Sequence, residues 1–289
     1  MSSTVADTIR GALPTLPRAE RRVARELLSS YPVAGLETVA RLAARAGVSG
    51  PTVIRLVSRL GFDGYPEFQE ALRGEIDERS SSPLVQYERL RRSGKDDVLA
   101  RSRDLLAGGV SRSFDETDGA AFAQAVDLLC DRRRRVFAAG GRFSGLTART
   151  LVSHLEILRP GVRHLSDDTR VAFLMEVKRG DVLVLFDMRR YQASTVQMGR
   201  EAAQRGAVLI VVTDPWLSPA AVEAEVVLPV SVESPSPFDS QVAALAMVEA
   251  LVAACVERYG DTVKSRVEDY DALWDVVGFA YPDRSGGTP

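Results

Sequence analysis

The sequence predicts an α/β protein in two parts: an all-helical N-terminal helix-turn-helix domain, then a three-layer αβα domain with a parallel sheet. Three observations predict it. The N-terminal stretch reads as helix throughout, with apolar residues at helical spacing. Within it, two short helices close on a tight turn at Gly47-Val48-Ser49. Further on, apolar runs such as Asp181 to Phe186 (DVLVLF) alternate with helical stretches, the order of a parallel sheet covered on both faces. A length of 289 residues accommodates two such domains. The boundaries expected are 1–77 for the helical domain, 78–113 for a linker and connecting helix, 114–260 for the α/β domain and 261–289 for a C-terminal tail.

Taken in order, Val5 to Leu13 forms a short first helix, and Pro14 and Pro17 punctuate the turn after it. Pro17 to Ser30 is a second helix, amphipathic through Val23, Leu27 and Leu28. In the helix pair from Glu37 onward, Ala43 sits where the helices cross and Gly47 where the backbone bends. Ser49 suits an N-cap, and Pro51 falls in the first turn of the next helix, where a missing N–H costs nothing. Val53, Leu56, Val57 and Leu60 make that helix's buried stripe. Gly61 ends it, Gly64-Tyr65-Pro66 turns the chain, and Glu67 to Ile76 is a last helix.

Thr52, Arg55 and Arg59, with Ser58 beside them, are then expected to face outward. A polar, arginine-bearing face after such a turn is what a helix-turn-helix presents to the DNA major groove. Ser49, Thr52 and Arg21 or Arg22 are the expected phosphate contacts, with Gly50 at the helix start. Arg55, Ser58 and Arg59 are the expected base readers, and Ile54 can meet a thymine methyl. An ordinary antiparallel helix pair with solvated arginines is the competing reading.

Composition narrows the class. Apolar residues make up 45 % and charged residues 26 %, as in ordinary globular proteins. Neither a signal-peptide core nor a run long enough to span a membrane stands out, so a cytoplasmic protein is expected. Cys130 and Cys255 lie in apolar helical stretches and read as small hydrophobes; with only two histidines besides, no metal site is expected. The formal net charge is −2, and Met1 to Glu75 carries ten arginines against eight acids, about +2. So weakly basic a module points to binding in more than one copy. The tetrad Arg132 to Arg135 runs straight into apolar VFAA and reads as a solvated helix-to-strand junction.

After the linker-like Ser80-Ser81-Ser82-Pro83, Leu84 to Leu90 can be helical, and Asp97 to Phe114 and Thr117 to Asp131 are helices. Strands are expected at Val136 to Ala139, Val162 to Leu165, Asp181 to Phe186, Ala207 to Thr213 and Glu225 to Pro229. Helices are expected at Ser144 to Leu158, Asp168 to Lys178, Ser194 to Arg205 and Ser240 to Tyr259. The polar, Gly-rich end from Asp283 to Pro289 is expected to be disordered.

In such sheets ligands sit beyond the carboxyl ends of the strands. Gly140-Gly141-Arg142-Phe143-Ser144 opens a helix there, with glycines for close approach and a helix N-terminus that favours an anion. Phe186-Asp187-Met188-Arg189-Arg190-Tyr191 offers two guanidinium forks for a carboxylate or phosphate, unless Asp187 pairs with an arginine. Thr213 to Ser218 and Asp239-Ser240 can line the same crevice. Catalytic signatures such as GxSxG, HExxH or a phosphate-binding P-loop are missing, and no enzyme is expected. His154 reads as structural, and nothing separates Glu156 or Glu176 from surface acids.

The order of parts resembles the RpiR family of bacterial transcription regulators, a helix-turn-helix domain followed by a sugar isomerase (SIS) domain used as an effector sensor. The resemblance covers Leu16 to Tyr259 and is most specific in AGVSGPTVIRLVSRLGFDGYPEF. TDPWLSPAAVEAEVVLPV and DSQVAALAMVEALV are similar to the family's fourth-strand region and closing helix. The resemblance implies an SIS-like fold, operator DNA as partner, a homodimer or homotetramer and no cofactor, and Ser240 matches a serine that commonly faces the sugar site. With the strand-end loops above, the expected effector site includes Gly140, Arg142, Ser144, Asp187, Arg189, Arg190, Thr213 and Ser240. Two loops depart from it. Arg142 replaces the second glycine of GxGxS, and FDMRRY replaces the serine-rich SxSGxT phosphate loop. Three outcomes stay open: a carboxylate-bearing metabolite held by arginines, a phosphorylated ligand held by arginines, or arginines tied up by Asp187. A sugar-phosphate isomerase with an added helical domain is the alternative from another class.

Overall fold

In the N-terminal part, the spacing of apolar residues closes several short helices around one core. The computed structural model describes residues 4–29, 31–80, 82–92 and 97–277. The helices are α1 (Val5–Ala12), α2 (Arg18–Ser29), α3 (Val33–Leu36), α4 (Val39–Ala46), α5 (Gly50–Arg59) and α6 (Tyr65–Ser80). Ile9, Val23, Leu42, Leu56, Phe68 and Leu72 are fully buried where they meet. The stripe read from the sequence, Val53, Leu56, Val57 and Leu60, is buried as expected, and Ala43 packs at the α4–α5 crossing. One element was not foreseen: α3 is a single turn, too short to show a helical period.

The turn between α4 and α5 follows from one glycine. Gly47 sits at φ 62°, ψ 41°, a left-handed conformation that disfavours a Cβ, and its N–H reaches back to the carbonyls of Ala43 and Ala44. Ser49 has the extended backbone of an N-cap, but its hydroxyl does not cap; it lies 3.1 Å from Thr52 Oγ1 instead.

The chain divides into two compact units after Val85. The second contains the rest of α7 (Pro83–Arg92), then α8 (Val98–Asp115) and α9 (Gly119–Cys130). Asp97 and Asp118 cap the last two through the N–H groups of Leu99 and Ala120, both at 2.9 Å. Five strands follow, β1 (Val136–Gly140), β2 (Val162–His164), β3 (Val182–Phe186), β4 (Val208–Thr213) and β5 (Val226–Pro229). They pair in parallel in the order β2-β1-β3-β4-β5. The connecting helices are α10 (Ser144–Leu158), α11 (Arg170–Glu176) and α12 (Ala193–Gln204), and α13 (Val242–Tyr259) closes the fold.

The period-2 alternation of the strands builds two cores. Val182, Val184 and Phe186 face a layer with Leu151, Leu155 and Met247, whereas Leu183 and Leu185 face the layer with Phe173, Met198 and Ala202. The result is a three-layer αβα sandwich. The chain leaves β1 toward β2 and returns on the other side of β1 as β3, so the ends Gly140 and Phe186 lie side by side at a topological switch point.

Past Tyr259 the structure departs from the expected tail. A short 3-10 turn buries Val263, and α14 (Lys264–Val276) follows. Its weak apolar period hid it, since Leu273 and Trp274 are exposed. Asp283 to Pro289, expected to be disordered, lies outside the described residues.

Both cysteines are free thiols. The Arg132–Arg135 tetrad is a junction: Arg133 and Arg134 pair with Asp131, Arg135 pairs with Asp181, and Arg132 covers the Tyr259 ring at 5.0 Å. A buried arginine organises the same corner. Arg159, 1 % exposed, donates to the carbonyls of Leu129 (2.6 Å), Asp131 (3.0 Å), Arg134 and Pro160 (3.2 Å), so the end of α9 and the start of β1 hang on one guanidinium. Among the described helices none is long and apolar enough to cross a membrane.

Candidate functional site

On α5 the buried stripe leaves Ile54, Arg55, Ser58 and Arg59 exposed, with Ser49 at its start. Two expected contacts are placed differently. Thr52 is buried, at 5 % exposure, because it stands four residues before Leu56 on the edge of the same stripe. Its hydroxyl accepts from Arg55 Nη2 at 3.1 Å, so Thr52 positions Arg55 rather than presenting itself to a phosphate. Arg59 Nε donates to Glu20 Oε2 at 2.8 Å, and that carboxylate is buried on α2. Arg59 is therefore a tie between α5 and α2 as well as an exposed cation. Arg21 spends Nη2 on the Leu16 carbonyl at 2.8 Å. Arg22 stands beside the turn, its Nη1 3.7 Å from where a Cβ on Gly47 would be.

In the second unit, a pocket of about 560 Å³ opens at the switch point between β1 and β3, within the usual range for small-molecule sites. Of the expected effector residues, Arg142, Ser144, Asp187, Arg189 and Arg190 line it. Gly140, Thr213 and Ser240 do not. A Cβ at Gly140 would meet the backbone of Ser144 and Gly145 at 2.6 Å, so this glycine lets β1 touch its own helix α10 rather than a ligand. Thr213 is fully buried and accepts from the Ser218 N–H at 2.9 Å. Ser240 accepts from the Val242 N–H at 3.1 Å and holds the start of α13. Thr213 and Ser240 are thus each engaged by a backbone N–H rather than offered to a ligand.

Ser144 lines the pocket but is also occupied. Its hydroxyl donates to the Phe186 carbonyl at 2.7 Å and accepts from the Gly141 N–H at 2.9 Å, clamping the loop after β1 to the end of β3.

The two arginines find an acid, but it is not Asp187. Asp239, from the segment before α13, lies 3.4 Å from Arg189 Nε and 3.9 Å from Arg190 Nη2. Arg189 also stacks over the Trp216 ring at 5.0 Å, while its backbone N–H donates to Asp214. Arg190 adopts a left-handed backbone, φ 62°, which costs a residue with a Cβ about 1–2 kcal/mol. Its side chain remains 40 % exposed.

Asp187 is instead sunk beneath the pocket, 2 % exposed, accepting from Ser218 Oγ and, at 3.4 Å, from the Gln192 N–H. Burial pushes its carboxyl up to about 6, and neighbouring Asp214 adds to this. The Ser218 and Gln192 hydrogen bonds and Arg170 pull the other way. Asp214 is itself raised by burial, against hydrogen bonds from Tyr191 and the backbone of Arg189 and Trp216.

Sequence reasoning missed several participants. Arg170, on α11, donates to the Gly140 carbonyl at 2.9 Å and steadies the strand end from behind. Leu146, Val242 and Leu245 line the opening while largely exposed, and Phe238 joins them. Their signal was present: Val242 and Leu245 are apolar positions off the buried stripe of Ala243, Ala244, Met247 and Val248. His154, Glu156 and Glu176, the acids and base weighed for catalysis, are not in the lining.

Comparison with known proteins agrees with this two-part architecture. Residues 3–79 match the helix-turn-helix domain of the rpiR family, and residues 128–254 match the SIS domain. The HTH-type transcriptional regulator HexR of Escherichia coli strain K12 is 25 % identical over 264 residues, covering 88 % of each chain. The Vibrio vulnificus NanR protein complexed with ManNAc-6P superposes with a TM-score of 0.56 at 18 % identity, over 96 % of this chain and 100 % of that one. The sugar isomerase domain of the RpiR transcription factor from Sphaerobacter thermophilus gives 0.58 at 23 % identity, over 62 % of this chain and 100 % of its own.

Proposed function

The chain belongs to the rpiR family of helix-turn-helix transcriptional regulators that carry a SIS domain, and on that premise we propose that it binds operator DNA under control of a small anionic metabolite. The observation that carries the DNA half is the exposed α5 face, with Arg55 held over Thr52 after the left-handed turn at Gly47. Arg55 and Ser58 read base edges, Ile54 packs on a thymine methyl, and Ser49, Gly50 and Arg22 meet phosphates. The DNA-binding module is placed in residues 1–77 and the effector domain in 114–260. A module of net charge about +2 calls for two or more copies, so a homodimer or homotetramer reads half-sites about one helical turn, or a multiple, apart. We place the protein in the cytoplasm, where operator DNA is.

The pocket at the switch point supports the effector half, since its three arginines outnumber its two acids. An effector changes DNA affinity only by favouring one arrangement of the paired modules over another. Turnover of a sugar phosphate is the lesser reading, because His154, Glu156 and Glu176 stand outside the pocket.

The test is selection of bound duplexes from a random pool at near-physiological salt. A palindromic or directly repeated motif is expected, with its spacing giving the symmetry. Absence of enrichment, with binding that disappears as salt rises, would reduce the interaction to backbone attraction and overturn the regulator reading.

A further inference from the structure

We propose that the pocket at the β1–β3 switch point takes an amphipathic monocarboxylate, an aliphatic or aromatic body ending in one carboxylate, in preference to a phosphorylated sugar. This rests on the effector reading above and names its ligand class.

The first argument is the rim. Phe143 is 51 % exposed, Leu146 69 %, Phe238 58 %, Val242 44 % and Leu245 39 %, and all five line this one opening. Single apolar side chains on a surface are ordinary, but five converging on one cavity are a binding surface for something apolar. Met188, nearly buried, continues that surface inward.

The second argument is the shortage of hydroxyl partners. A sugar needs several donors and acceptors, yet the hydroxyls of the lining are spent within the protein. Ser144 is clamped between Gly141 and Phe186, Thr147 donates to Gln241 Oε1 at 3.2 Å, and Thr150 donates to the Leu146 carbonyl at 3.1 Å. A sugar would have to find its partners among the amides of Gln192 and Gln241 and the charged groups rather than among hydroxyls.

The third argument is charge. Arg142, Arg189 and Arg190 bring three positive charges to the lining, and Asp187 and Asp239 bring two negative ones. The surplus of one matches a carboxylate. A phosphate monoester carries about −1.5 to −2 at neutral pH and would leave the site negative. Arg190, the more exposed of the pair against Asp239, can offer its fork to a planar carboxylate.

The experiment is calorimetric titration of the full chain with octanoate, phenylacetate, glucose 6-phosphate and inorganic phosphate. Octanoate or phenylacetate is expected to bind at least about tenfold more tightly than either phosphate. Arg190→Ala and Leu245→Asp should each weaken that binding by a similar factor, with thermal melting showing both variants folded. Tighter binding of glucose 6-phosphate or phosphate, or no heat with either carboxylate, overturns the proposal. So does carboxylate binding unchanged in Leu245→Asp, or an oligomer that Leu245→Asp dissociates while neither carboxylate binds, which would assign the rim to a second copy. The duplex selection, run on the same preparation, separates the two readings: an enriched motif without carboxylate binding sinks only the ligand class. Carboxylate binding without any enriched motif sinks the regulator and leaves the pocket.

Discussion

Replacing the buried carboxylate of Asp187 by an amide should change how stability depends on pH. In the folded protein its carboxyl is pushed up to about 6 from an ordinary 3.8, chiefly by burial. The unfolded chain gives the proton up first, so folding binds a proton between these two values. Stability from this group is therefore fully present below about pH 4 and is lost as pH rises through about 6. A rise of roughly two pH units in the protonation midpoint corresponds to ~3 kcal/mol. At 2 % exposure there is little solvent to screen it. Asn cannot ionise and still offers an oxygen to Ser218 or to the Gln192 N–H. Urea denaturation of the wild type and Asp187→Asn at intervals from pH 4 to 8 reads the effect, because titrating groups remote from this pair of buried acids cancel in the difference. The variant should gain on the wild type by ~3 kcal/mol between pH 4 and 7, most of it between 4 and 6. A difference that stays flat across that range would refute the assignment of a buried, titrating acid beneath the pocket.

Other substitutions test other parts. Arg55→Ala should cost ~1–3 kcal/mol of specific operator affinity with the melting curve unchanged, measured by competition against the selected duplex. Gly140→Ala forces a Cβ into the start of α10 and should lower stability by ~1–3 kcal/mol in chemical denaturation. Arg159→Met removes the donors of several buried carbonyls and should cost more, ~2–4 kcal/mol, with faster amide exchange at Arg134 and Arg135, where the end of α9 leads into β1.

What the sequence made legible was local. The Gly47 turn, the α5 stripe and the apolar run DVLVLF are written within a few residues of where they act, and the strands and helices other than α3, α14 and the 3-10 turns were visible that way. The site was only half visible because its pairings join distant segments. Nothing near Arg59 announces that Glu20 holds it, and nothing near Arg189 or Arg190 points to Asp239. Asp187 drew attention as the adjacent acid, yet its carboxylate is buried on Ser218 and the Gln192 N–H, partners that its neighbours in sequence do not reveal. The hydroxyl residues misled for a different reason. Thr52, Thr213 and Ser240 have the chemistry of ligand contacts, but satisfying backbone groups and neighbouring side chains is the commoner use of such residues.

The position of Asp239 gives the pocket an internal competitor. Its carboxylate stands 3.4 Å from Arg189 Nε and 3.9 Å from Arg190 Nη2, where an incoming anion would meet it, and the chain keeps it tethered there. A tethered group competes as though dissolved at about millimolar concentration or above. Weak or scarce anions therefore compete poorly with it, and a ligand that adds apolar contacts of its own competes best. A ligand that displaced it would also remove a tie between the loop after β3 and the segment leading into α13.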